Sequence, residues 1–174
     1  LLKELDDGKT TDLEAEIDGR LLKQGMDSFV REYEHAKTWR TDPTLYVKIP
    51  LMAIGHTLSQ EVRARKQAQP VLLELLLQTP SFLKQAAKNL NLPSRLHLQV
   101  AEEMVQDVVH FHSHDMVAFI EAELEGDKTL AAENEKILRA WADFRGALLQ
   151  LPARDAFAVG REGLWEILSL SLCY

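Results

Sequence analysis

Between Ser94 and Leu124 the chain runs for 31 residues without Gly or Pro, and apolar residues fall on every side of a helical projection. Leu96, Leu98, Val100, Ala101, Met104, Val105, Val108, Val109, Phe111, Met116, Val117, Phe119, Ile120 and Leu124 fill more than the one-sided stripe of a surface helix. The pattern predicts a central helix of about 46 Å at a rise of about 1.5 Å per residue. Ser94 is placed to cap its start, and Gly126 to end it as a left-handed stop.

Elsewhere the spacing is that of amphipathic helices. From Leu13 to Trp39, Ile17, Leu21, Leu22, Met26, Phe29, Val30, Tyr33 and Ala36 recur at steps of three and four. Thr11 or Asp12 can cap this helix after a turn at Asp6-Asp7-Gly8. Gly19 and Gly25 inside it each cost about 1 kcal/mol relative to Ala, so it depends on packing. Asp42-Pro43 ends it and opens a segment to residue 69, in which Pro50 predicts a kink or break. The alternation Leu45, Val47, Ile49 has no second strand to pair with, so helix is the reading there too. Pro70 opens Val71 to Leu77, and Thr79-Pro80 starts a short helix from Ser81 to Leu90.

Asp127 can cap a helix from Lys128 to Leu149 with an inner face of Leu130, Ile137, Leu138, Trp141, Phe144 and Leu148. A last helix from about Asp155 presents Phe157, Val159, Leu164, Ile167 and Leu168. The fold class is therefore all-α: an irregular array or bundle of about six to seven mostly antiparallel helices around the central one.

Composition narrows the classes without adding a chemistry. Hydrophobic residues are 46% and charged residues 27% of 174, as in a globular chain. The formal charge of -7 and the mixed signs leave no basic face for nucleic acid. The densest basic stretch, Arg63, Arg65 and Lys66 beside Glu61, reads as a solvated helix face. No run reaches the ~18 apolar residues of a membrane span. The single Cys173 cannot form an internal disulfide, which fits a reducing, cytoplasmic compartment. Both ends look cut, so the expectation is one helical domain over residues 1–174 within a longer protein. Its partner would be the remainder of that polypeptide, or a second copy met through the last helix.

Chemistry-bearing residues are sparse. His110-Phe111-His112-Ser113-His114 holds three of the six histidines, and His110 and His114 share a helical face as two zinc ligands would. A catalytic zinc site also needs a Glu beside the first His and a third ligand, and position 111 is Phe. Helix histidines with polar neighbours are the simpler reading. His56 reads as a core or boundary residue, and Glu102, Glu103 and Asp107 as a solvent-facing edge. Cys173 has no activating neighbour in sequence. Trp39, Tyr46, Trp141, Phe144 and Trp165 sit at inward positions and read as core. No catalytic, cofactor-binding or metal-binding residue is assigned from the residues themselves.

Several stretches, in order, resemble a bacterial family catalogued as domain of unknown function 885. They are Ile17-Asp18 with Leu21-Leu22, Trp39-Arg40-Thr41-Asp42-Pro43 with Leu45-Tyr46, and Pro80, Leu83, Ala86 and Asn89-Leu90. Trp141-Ala142-Asp143-Phe144 leading to Leu151-Pro152, and Val159-Gly160-Arg161-Glu162 running into Ile167-Leu168, follow. The resemblance implies a long all-helical protein similar to zinc peptidases, with a His-Glu-x-x-His helix whose histidines bind the metal. This chain contains no His-Glu pair and matches only the amino-terminal portion. No ligand or catalytic residue carries over, and zinc belongs to the longer protein alone. The resemblance thus implies a non-catalytic support of a peptidase-like protein; the alternative is a freestanding helical interaction module without enzymatic activity.

Overall fold

A computed structural model describes residues 13–59, 62–158 and 160–171. Among these the chain is all-α, with helices packed against one another as a bundle in the larger of two compact units. They are α1 (Leu13–Arg31), α2 (Thr38–Thr41), α3 (Thr44–Leu58), α4 (Val62–Asn89), α5 (Arg95–Ser113), α6 (Asp115–Glu123), α7 (Lys128–Gln150) and α8 (Gly160–Ser171), with a π-helical turn at Glu32–Ala36. The expected turn at Asp6-Asp7-Gly8, the Thr11 or Asp12 cap and Cys173 lie outside the described residues. The described residues fall into two compact units: a larger one from 39 to 157, and a smaller one of residues 13–38, 158 and 160–171.

In the larger unit, α7 packs against α4, α5 and α6, and α3 packs against α4 and α5. The sequence builds these contacts from matched stripes. Leu130, Asn134, Ile137, Trp141, Phe144 and Leu148 are buried on α7 at steps of four and three. On α4 the buried stripe is Leu72, Leu76, Thr79, Leu83 and Ala86, continued by Leu90 just past its end. That stripe runs straight through Pro80. Breaks were expected before Val71 and Ser81, but α4 is continuous across Pro70 and Pro80, as α3 is across Pro50. Proline removes one backbone donor and crowds one carbonyl, a local cost that a long buried face outweighs. Thr79 and Ser81, which flank Pro80 in the chain, donate their hydroxyls to the Leu75 and Gln78 carbonyls.

The expected central helix over Ser94 to Leu124 is two helices, with His114 between them at φ -124°, ψ -64°. The cause is polar. Asn134 Nδ2 donates to the His112 carbonyl at 2.8 Å, a group that an uninterrupted helix directs to the N–H four residues on. Ser113 Oγ donates back to the Val109 carbonyl, a bond that bends helices. Leu96, Val100 and Val117 are exposed, so this run is not covered on every side.

Predicted caps are in place. Ser94 Oγ accepts the His97 N–H, and Asp127 Oδ1 accepts those of Thr129 and Leu130. These backbone bonds, with Gln69 Nε2 on the other carboxylate oxygen, hold Asp127 below the usual carboxylate range. Gly126 is left-handed at φ 68°, and its N–H reaches the Ile120 carbonyl. After α7 the chain turns back to the start of α5. Arg154 N–H donates to the Pro93 carbonyl and Arg95 N–H to the Arg154 carbonyl, while Arg95 pairs with Asp155 at 3.0 Å. This clip occupies residues expected to begin the last helix, which starts instead at Gly160.

In the smaller unit α1 packs against α8, and Arg31 Nη2 reaches the Gly163 carbonyl at 3.5 Å. The helix expected from Leu13 to Trp39 stops at Arg31. A π-turn follows, closed by the Lys37 N–H on the Glu32 carbonyl with Lys37 left-handed at φ 52°.

Candidate functional site

The three clustered histidines separate into two environments. His112 is buried on α5, and its Nδ1–H donates to Asn134 Oδ1 at 2.7 Å while Asn134 Nδ2 returns a bond to the His112 carbonyl. The two bonds fix each other: an amide oxygen can only accept, so His112 carries its proton on Nδ1. Burial pushes the imidazole below its ordinary value, and the Asn134 bond opposes that only in part. His112 is held neutral, as the structural peg of α5 on α7.

His110 and His114 do share a face. Their rings stack at 4.3 Å between centroids with a 26° tilt, both exposed, and His114 Nδ1–H donates to the His110 carbonyl. Parallel rings direct their nitrogen lone pairs side by side rather than onto one ion. Among the described residues no three His, Cys, Asp or Glu side chains gather in a metal-binding group. His56, expected at a core or boundary position, is exposed on α3. Glu102 bridges from α5 to Arg145 on α7 at 2.8 Å, whereas Glu103 and Asp107 face solvent. The side chains of Arg63, Arg65 and Lys66 lie outside those described.

Of the five aromatic residues read as core, Tyr46, Trp141 and Phe144 are buried, and the Trp141 and Phe144 rings meet edge to face at 6.1 Å. Trp165 is 60% exposed. Tyr46 ties a second polar junction. Its hydroxyl donates to the Trp39 carbonyl at 2.6 Å and accepts from Asn89 Nδ2 at 3.1 Å, while the Asn91 N–H reaches the Arg40 carbonyl at 2.7 Å.

The largest departure from ordinary packing lies on α1, a 19-residue helix with no buried residue. Leu13, Ile17, Leu21, Leu22, Phe29 and Val30 are all exposed, Phe29 to 71%, and on α8 Leu164 and Trp165 are exposed as well. Leu21, Leu22, Gly25, Met26, Phe29 and Val30 border one shallow cavity of about 320 Å³ with an almost wholly apolar lining. A contiguous apolar surface of this kind marks an interaction site. Periodicity identified these positions as a face, but only the fold reveals that nothing in the described chain covers it.

Among the described residues no helix is long and apolar enough to cross a membrane. No family model, curated protein or solved structure matches the chain.

Proposed function

We propose that the chain is a non-catalytic helical module that assembles through the apolar face of α1, and that a second copy of the chain occupies this face. The exposed α1 residues carry the reading. A helix that buries none of its apolar positions gains stability only when another surface removes them from water, at about 25 cal/mol per Å². Charge along α1 favours self-pairing. Its first half holds Glu14, Glu16 and Asp18 against Arg20, and its second half Lys23 and Arg31 against Asp27. An antiparallel two-fold pairing sets the acidic half of one copy beside the basic half of the other. Two helices from each copy then form a four-helix arrangement.

Sedimentation velocity across the micromolar range tests this. A monomer–dimer equilibrium is expected for the native chain, and a monomer for Leu21→Gln/Phe29→Gln with its helical circular dichroism retained. A native chain that stays monomeric throughout would sink the pairing.

A second reading is the support of a zinc-dependent peptidase-like protein. Two of the stretches that resemble that family, Trp39 to Tyr46 and Pro80 to Leu90, meet in the Tyr46 junction. What they have in common with the family is then a structural joint, which supports a supporting rather than a catalytic role. A coding frame continuing past Tyr174 into a His-Glu-x-x-His helix, together with a monomeric chain, would favour this reading over self-assembly.

A further inference from the structure

A groove between α4 and α7, within the larger unit, has a different character from the apolar face of α1. It encloses about 430 Å³, within the range of small-molecule sites, and Pro80 closes part of its wall. Its floor is apolar: Leu83 and Phe144 are almost fully buried, with Ala87 and Ala140 beside them. The two alanines leave room where larger residues would fill the space between the helices. Its rim carries three cations, Lys84, Lys136 and Arg139, against the single carboxylate of Asp143. This is a positive locus on a chain of formal charge -7.

The three cations are not equivalent. Lys136 Nζ is held by Glu133 Oε1 at 2.6 Å. Lys84 on α4 and Arg139 on α7 flank the groove from opposite walls, and neither has an ion pair or hydrogen bond among the described residues. An unpaired guanidinium presents a planar fork of donors that matches a carboxylate, and an ammonium across the groove adds a point charge.

We infer that the α4–α7 groove is a binding site for a small organic monoanion, an aromatic carboxylate whose ring lies on Leu83, Ala87, Ala140 and Phe144 and whose charge is met by Lys84 and Arg139. The size of the groove excludes a large ligand, and the apolar floor disfavours a bare inorganic ion. This assignment is independent of self-assembly through α1.

Naphthalene-2-carboxylate is the probe, titrated into the full chain and followed by amide chemical shifts, with its neutral alcohol counterpart as comparator. Saturable binding with Kd on the order of 100 µM is expected, as for a ligand of this size. The shifts should centre on residues 80–87 and 136–144. The neutral comparator and the Lys84→Gln/Arg139→Gln variant should each bind about tenfold more weakly, the variant also losing the salt dependence of binding. Lys84 and Arg139 are exposed, so the variant is expected to melt as the native chain does; Lys84→Gln alone, with an intermediate loss, serves if it does not. Equal affinity for the neutral compound, shifts centred on α1 and α8, or absence of saturation at millimolar probe would each overturn the inference. So would an acidic amphipathic peptide that competes for the same residues with higher affinity than the acid, since the groove would then be part of a protein-docking surface.

Discussion

Helices α1 and α7 are written in the same pattern, apolar residues at steps of three and four among mixed charges, and meet opposite fates. Six residues of α7 are buried, Ile137 completely, while α1 buries none. Both carry interior glycine, Gly146 on one and Gly19 and Gly25 on the other. The difference lies in their neighbours: α7 has α4, α5 and α6, whereas α1 packs on α8 and the adjoining π-turn among the described residues of the smaller unit. Periodicity therefore specifies a face, and only the rest of the fold decides whether that face is closed. An open face can be closed by another copy; a closed one has already given its stabilisation to the monomer.

The contrast can be broken most severely at the aromatic centre of α7. Trp141→Ala should destabilise the chain by about 3–5 kcal/mol through loss of burial and a residual cavity. Phe29→Ala, an equally apolar truncation, should stay within about 0.5 kcal/mol for the dilute monomer. Urea unfolding of both variants measures the gap, and comparable losses would show α1 to be covered in solution.

The buried polar pair comes next. Asn134→Ala strands the His112 ring N–H and carbonyl, and should cost about 1–3 kcal/mol. A thermal melt compared with the native chain reads this loss, and the effect of Asn134→Ala should shrink in a His112→Leu background.

The same pair sets a pH dependence. Because the folded His112 is depressed below 6.5, the unfolded chain binds the proton more readily. Its contribution is complete above about pH 6.5 and is lost as pH falls from there through the lower folded value. Melting temperature should decline from pH 7 toward pH 5, and less steeply in His112→Leu.

The smallest effects have opposite signs. Gly25→Ala places a methyl in open space on a helix and should stabilise by about 0.5–1 kcal/mol. Gly126→Ala forces a left-handed φ on alanine, with Glu121 Oε2 at 3.1 Å from the new Cβ, and should destabilise by about 1 kcal/mol. Both are within reach of denaturant titration.

What could be read from the chain was local. Ser94, Gly126 and Asp127 act within a few residues of themselves, so their caps and stop were legible without knowledge of the fold. The three internal prolines were not, because the stripe that carries α4 through Pro80 draws on α7 for its burial. Likewise the break at His114 depends on Asn134, 22 residues beyond the His112 carbonyl it binds, and no spacing rule links a histidine on α5 to an asparagine on α7. Of the candidate sites, the histidine cluster was visible as composition, but its division into a buried peg and an exposed stack required the orientation of α5 against α7. The α4–α7 groove was invisible for a related reason. Lys84 and Arg139 are ordinary surface cations in sequence, and border one groove only once their helices pack.

The placement of the indoles also gives the molecule its own optical labels. Trp141, 1% exposed, should emit toward the blue and follow the melting of the larger unit, whereas Trp165, 60% exposed, should emit toward the red and shift blue as its surroundings dry. In a Trp39→Phe variant, which keeps both of these indoles, concentration-driven pairing and thermal unfolding could be followed in the same cuvette as separate colours.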